Sequence, residues 1–154
     1  CIRDRCHNFN RPVFVDTKKR RLFNKNNVFW KINKKEYDDL VPESIPNSSN
    51  LIVTLGSAGA MWNDTIFKPD PVKVFDVCGA GDTFLSALVY EFLRTKNMRK
   101  AIELANKAAA ITVTHPGAYY LTRSDIISLY GEENGKTVDR QSGSNAPQTA
   151  SVVA

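Results

Sequence analysis

Three short apolar runs constrain the fold of this chain more than any other feature. Val13-Phe14-Val15 stops at Asp16, Val28-Phe29-Trp30-Lys31-Ile32 stops at Asn33, and Leu51-Ile52-Val53-Thr54-Leu55 stops at Gly56. Brief, nearly continuous apolar runs rich in β-branched and aromatic residues are what strands buried on both faces need. Burial on both faces calls for helices above and below, so the pattern predicts an open α/β sheet with mainly parallel strands. Such sheets bind ligands beyond the carboxyl ends of their strands, which is where Asp16, Asn33 and Gly56 fall. Met61-Trp62 and Thr65-Ile66-Phe67, separated by Asn63-Asp64, predict a small hairpin.

After Asp82 the apolar period changes from that of strands to that of helices. Phe84, Leu88 and Phe92 form one row and Leu85, Val89 and Leu93 the next, which predicts a helix with a broad buried face. A second helix is expected from about Arg99, where Ala101, Leu104, Ala105, Ala108, Ile111 and Thr112 recur at helical spacing, and Gly117 after Pro116 is expected to end it. Tyr119, Tyr120 and Leu121 suit a last strand, and Ser124-Asp125-Ile126-Ile127 a short terminal helix. From Gly131 the composition turns polar and predicts a disordered tail over 131–154. The opening residues 1–11, charged and cysteine-bearing, fit poorly with the rest of the chain and are expected to be a partial or non-native segment, leaving 12–130 as the folded unit.

With 42% hydrophobic residues and mixed charge, the 154-residue chain has the composition of one globular domain. No apolar run approaches the roughly 20 residues that span a bilayer, and residues 1–7 have no signal-peptide core, so a cytoplasmic protein without a membrane partner is expected. Cys1, Cys6 and Cys78 show neither even-count disulfide arithmetic nor zinc spacing and are expected to be reduced. The net charge of +5 and the run Lys18-Lys19-Arg20-Arg21 suit an anionic partner. Without interleaved aromatics the run predicts no nucleic-acid partner; a solvated face is the leading explanation, with steering of phosphates the next. The chain contains no G-x-x-x-x-G-K-S/T and no G-x-G-x-x-G, which removes the P-loop and dinucleotide classes.

Residues 76–84, Asp-Val-Cys-Gly-Ala-Gly-Asp-Thr-Phe, carry the chemistry. Gly79 and Gly81 let the backbone turn tightly and bring its N–H groups close to an anion, and the following helix points its positive end at the same place. Asp82 falls in the first helical turn, where an N-terminal cap is the structural alternative to a catalytic role. Asn33-Lys34-Lys35-Glu36 and Thr54-Leu55-Gly56-Ser57-Ala58-Gly59 lie upstream, and Leu104 to Ala110 and Thr114-His115-Pro116-Gly117-Ala118 downstream. In this order the segments resemble the N-x-x-E, T-x-G-x-x-G, G-A-G-D and final-helix signatures of the ribokinase/phosphofructokinase-B family of sugar kinases, over roughly residues 12–130.

The resemblance implies a ribokinase-like three-layer α/β/α fold with a mainly parallel central sheet, of which this chain is the C-terminal portion. It implies ATP-dependent phosphorylation of a sugar or phosphosugar hydroxyl. Asp82 would be the base, and the amides of Gly79, Ala80 and Gly81 the anion hole for the transferred phosphoryl group. Asn33 and Glu36 would order magnesium and water around the phosphates, although a helix-capping pair is the alternative there. Thr54 and Gly56 would approach the nucleotide phosphates and Asn106 the purine or ribose, with helix packing as the alternative for Asn106. Asp76 and Gly117 would hold a monovalent cation such as potassium, unless Asp76 only satisfies loop amides. Cys78 departs from the threonine of many members, and packing is the expected role for it. Val15-Asp16-Thr17-Lys18, residues 76–82 and the ending Gly117 to Thr122 look nearest to the heptose-7-phosphate kinases. The portion bearing most sugar contacts and a lid would be missing, so an inactive or regulatory nucleotide-binding fragment is the competing function. A homodimer of the complete protein stays open.

Overall fold

A computed structural model describes residues 11–131. The expectations for residues 1–10 and 132–154, including the states of Cys1 and Cys6 and the tail, lie outside the described residues.

Five strands form one sheet in the order β1 (Val13–Asp16), β2 (Val28–Asn33), β3 (Leu51–Thr54), β4 (Ala60–Trp62) and β5 (Thr65–Phe67). The first three are parallel, with Asp16 opposite Lys31 and Asn33 opposite Thr54; β3–β4 and β4–β5 are antiparallel. The hairpin turns on Asn63 and Asp64, whose φ values of 49° and 59° are those of the twisted two-residue loop that matches strand twist.

Strand alternation divides the core in two. Val28, Trp30, Ile32, Leu51 and Val53 face one side, where Leu22 and Leu40 join them beside helix α1 (Lys34–Asp38). Ile52, Ala60 and Phe67 face the other, packed on Phe84 and Leu88 of α2 (Ala80–Thr95) and Met98, Ala101, Ile102 and Ala105 of α3 (Met98–Thr112). The central strands β2 and β3 thus bury both faces, which accounts for their runs without polar alternation. Helices α2 and α3 form a tight hairpin. Lys96, at φ 55°, ends α2, and the Asn97 side chain caps α3 by accepting from the Lys100 N–H at 3.1 Å.

Three expectations are corrected. On α2 Phe84, Leu88 and Glu91 are buried and Leu85 and Phe92 pack partly buried against the core, as the rows suggest, whereas Leu93 is 50% exposed. Helix α3 begins at Met98 and ends at Thr112, before Pro116 and Gly117. Tyr119 to Leu121 form no strand. The Tyr119 ring instead stacks on His115 at 3.7 Å, and its hydroxyl donates to Asp125 Oδ2 at 2.8 Å. Asp125 also accepts from the Thr122 N–H, closing a capping box at the start of α4 (Arg123–Tyr130).

The buried Glu91 takes two hydrogen bonds from Arg94, at 2.8 and 2.9 Å, and a third from the Tyr130 hydroxyl at 3.2 Å, tying α4 to α2. Burial, then the Glu91 charge, pushes the Tyr130 phenol from an ordinary 10.0 up to about 12. Because the folded value lies above the unfolded one, this contact stabilises the fold fully below pH 10 and is lost as pH climbs towards 12. Melting temperatures recorded from pH 9 to 12 are expected to fall less steeply in Tyr130→Phe than in the unaltered chain; identical slopes would show that the phenol is not held this way.

Candidate functional site

The carboxyl ends of β1, β2 and β3 project onto the side of the sheet that carries α2 and α3. Phe14 and Asp16 share that side with Phe29, Lys31 and Asn33 and with Ile52 and Thr54, by the two-residue period of the strands. Between these ends, the loop after β3, the segment 69–77 and the two helices lies a cavity of about 810 Å³. Its polar lining includes Asn33, Thr54, Gly56, Asn106 and the lysines Lys31, Lys34 and Lys35; its apolar lining includes Val72, Val74, Phe84, Ala109 and Val113. Ala80 and Gly81 close it from the first turn of α2. The volume falls in the range of small-molecule sites, about 300–1,000 Å³.

The glycine turn adopts the geometry its sequence demands. Gly79 has φ 76°, a left-handed conformation open to glycine, and serves as N-cap of α2 without any side-chain cap. The Ala80 N–H donates to Val77 O at 3.3 Å and the Asp82 N–H to Gly79 O at 3.1 Å. The N–H groups of Gly79 and Gly81 have no partner among the described residues. Asp82, in the first turn of α2, is exposed, and its carboxylate makes no hydrogen bond or ion pair among the described residues. It therefore does not act as a capping side chain.

Asn33 ends β2 and caps α1. Its Oδ1 accepts from the Glu36 N–H at 2.8 Å and Glu36 Oε2 accepts from the Asn33 N–H at 2.8 Å, a reciprocal capping box. Asn33 lines the cavity and Glu36 does not. Thr54 donates to Ile32 O at 3.4 Å, and Gly56, at φ 60°, has open space where a Cβ would stand. Asn106 is buried on α3 and its Nδ2 donates to Phe67 O at 2.7 Å, which locks the helix to the end of β5. Its Oδ1 accepts no hydrogen bond from the described residues.

Asp76 and Gly117 meet across a sequence gap: Asp76 Oδ1 accepts from Cys78 N–H at 3.0 Å and Oδ2 from Gly117 N–H at 2.9 Å. The Cys78 amide first, and then the Gly117 amide, hold the Asp76 carboxyl below the usual carboxylate range. Cys78 itself is exposed, not packed as expected. The structure thus gathers Asn33, Thr54, Gly56, Ala80, Gly81 and Asn106 around one cavity, while Gly79, Asp82, Glu36, Asp76 and Gly117 stand outside its lining.

Lys31 is the residue that sequence reasoning passed over. It is 6% exposed, lines the cavity and binds Asp16 Oδ2 at 2.7 Å. Its signal was present as a charged residue inside an apolar run. The run Lys18 to Arg21 is exposed in the loop after β1, with Arg20 Nε donating to Asp39 O at 3.0 Å. Among the described residues no helix is long and apolar enough to cross a membrane.

The chain belongs to the pfkB family of carbohydrate kinases, whose sequence pattern it matches over residues 20–125. It is 34% identical over 134 residues to the bifunctional protein HldE of Nitratiruptor sp., covering 75% of this chain and 29% of that protein. It is 27% identical over 85 residues to the 1-phosphofructokinase of Escherichia coli, covering 53% of this chain and 27% of that one. Among solved structures, the ribokinase of Thermotoga maritima superposes with a TM-score of 0.63 at 24% identity, over 82% of this chain and 51% of that one. The E. coli phosphofructokinase-2 solved in complex with potassium also gives 0.63, at 17% identity, over 82% and 49%. These superpositions show the ribokinase-like fold expected from the sequence. The chain spans under a third of the length of the first curated relative it matches.

Proposed function

We propose that the protein is an ATP-dependent sugar or phosphosugar kinase and that these residues form its nucleotide-binding and catalytic portion. The observation that carries this reading is the juxtaposition of an apolar-walled, lysine-bearing cavity with a glycine turn whose Gly79 and Gly81 N–H groups are unpartnered among the described residues. Apolar walls suit a purine, and cations beside a helix N-terminus suit its phosphates.

In this mechanism Asp82 takes the proton of the attacking hydroxyl. Its carboxylate has no competing hydrogen bond among the described residues, as a base at a helix start requires. The N–H groups of Gly79 and Gly81 receive the charge that builds on the transferred phosphoryl group; one such donor contributes about 3–4 kcal/mol in enzymes. Ala80 is a weaker member of this anion hole, since its N–H already donates to Val77 O. Thr54 and Gly56 approach the nucleotide phosphates, and Asn106 presents Oδ1 towards the base or ribose.

Magnesium, when bound, neutralises phosphate charge. It commonly keeps several waters and takes one or two carboxylates, which suits Glu36, whose Oε1 has no partner among the described residues. A monovalent cation beside Asp76 and Gly117 would rely on backbone carbonyls, because both oxygens of Asp76 already bind N–H groups.

The acceptor proposed is a heptose phosphate, on the strength of Val15 to Lys18, Asp76 to Asp82 and the Gly117 to Thr122 ending, and of the matches to HldE proteins. Steady-state rates with heptose 7-phosphate, fructose 1-phosphate, ribose and adenosine, in the protein that carries these residues, decide the acceptor. Highest kcat/KM on the heptose phosphate is expected; preference for ribose or adenosine would overturn the assignment.

A further inference from the structure

Lys31 and Asp16 sit opposite each other at the carboxyl ends of adjacent parallel strands, with side chains on the helix-bearing side. Lys31 is nearly enclosed, its side chain 7% exposed, while that of Asp16 is 37% exposed. A Cβ built on Gly81 would stand 3.2 Å from Lys31 Nζ, so the ammonium lies against the first turn of α2. Gly81 is not at positive φ; what its missing side chain supplies is room for this ammonium.

A buried cation against the positive end of a 16-residue helix, beside N–H groups unpartnered among the described residues, gathers like charge in one place. The carboxylates nearby, Asp16 and the exposed Asp82 of the same turn, both stand outside the cavity lining and balance it only in part. The wall of the cavity at Lys31 and Gly81 is consequently complementary to a further anion.

We propose that Asp16 is a positioning residue: it holds Lys31 Nζ at the first turn of α2, where Lys31 binds the phosphate chain of the nucleotide. This rests on the phosphotransfer reading above. Asp16 touches neither substrate nor cavity and acts through Lys31. One Nζ hydrogen stays with Asp16 and the others are directed to the anion, so the pair fixes where the ammonium stands before the ligand arrives.

Calorimetry on the chain with Mg-ATP, adenosine and inorganic tripolyphosphate, for the unaltered sequence, Asp16→Asn, Asp16→Glu and Lys31→Met, tests this. Lys31→Met is expected to weaken Mg-ATP by about 10–100-fold, the size of a hydrogen bond to a charged group, and to leave adenosine unchanged. Asp16→Asn is expected to show the same selective loss in smaller degree, with Asp16→Glu recovering part of it. Equal losses for Mg-ATP and adenosine in Asp16→Asn would mean a structural role and overturn the proposal, as would no loss at all. Mg-ATP bound without dependence on either residue would leave the nucleotide reading standing and the pair without its role. Tripolyphosphate bound through Lys31 and Asp16 with no affinity for Mg-ATP or adenosine would make the pair a polyphosphate site and overturn both its role towards a nucleotide and the nucleotide reading. No binding of any probe to a cooperatively folded chain would overturn both.

Discussion

Asp82→Asn is expected to lower kcat by about 10²–10⁴ in the protein that carries these residues, while the melting temperature and Mg-ADP affinity stay close to those of the unaltered form. The expectation rests on position and on what the side chain does not do. Asp82 lies three residues into α2 after the Gly79 cap, and its carboxylate makes no hydrogen bond or ion pair among the described residues. Replacing it therefore removes no stabilising contact, and a base that touches only the acceptor hydroxyl should alter the chemical step rather than nucleotide binding. Activity within a few-fold of the original would remove Asp82 from the mechanism. A large drop in melting temperature would instead give it a structural role that its lack of partners does not predict.

Gly59→Ala is expected to be the most damaging small substitution for stability. Gly59 has φ 90°, and a Cβ there would stand 2.0 Å from Phe67 O and 2.7 Å from Pro69 Cδ. Neither neighbour is the end of a flexible side chain, so backbone must move. Overpacking and forced backbone each cost roughly 1–3 kcal/mol, giving a loss of about 2–6 kcal/mol. The effect should reach the cavity as well, because Phe67 O is the acceptor of Asn106 Nδ2. Denaturant unfolding of Gly59→Ala and of Gly56→Ala separates local clash from general loop sensitivity. Gly56 has open space at its Cβ position, so only its φ of 60° opposes a side chain and a smaller loss is expected. Equal losses would contradict the clash with Phe67 O.

What the sequence disclosed was mostly local. The strands at Val13–Asp16, Val28–Asn33 and Leu51–Thr54, and the hairpin on Asn63-Asp64, arise from runs and turn residues that act within a few positions. Gly79 at φ 76° and the Asn33–Glu36 capping box are likewise properties of neighbours in the chain. What stayed hidden depends on partners far away. Tyr119 is kept out of any sheet by His115 and Asp125, Asn106 is locked to Phe67 O across 39 residues, and Glu91 is buried by Arg94 and Tyr130. Lys31 was masked by the strand around it, since only the register with β1 shows that Asp16 stands opposite. At the G-A-G-D turn the backbone needs were legible locally: Gly79 takes φ 76°, and Ala80 and Gly81 line the cavity. The Asp76 carboxylate, which the family resemblance gives to a cation, binds the loop amides of Cys78 and Gly117, the second of them 41 residues away.

Whether the cavity beside Gly81 and Asn106 takes an adenine nucleotide is decided by titrating the purified chain with Mg-ADP in a calorimeter, once it is seen to melt cooperatively. Saturable heat that weakens in Asn106→Ala is expected. A cooperatively folded chain that gives no heat with Mg-ADP would contradict nucleotide binding at this cavity.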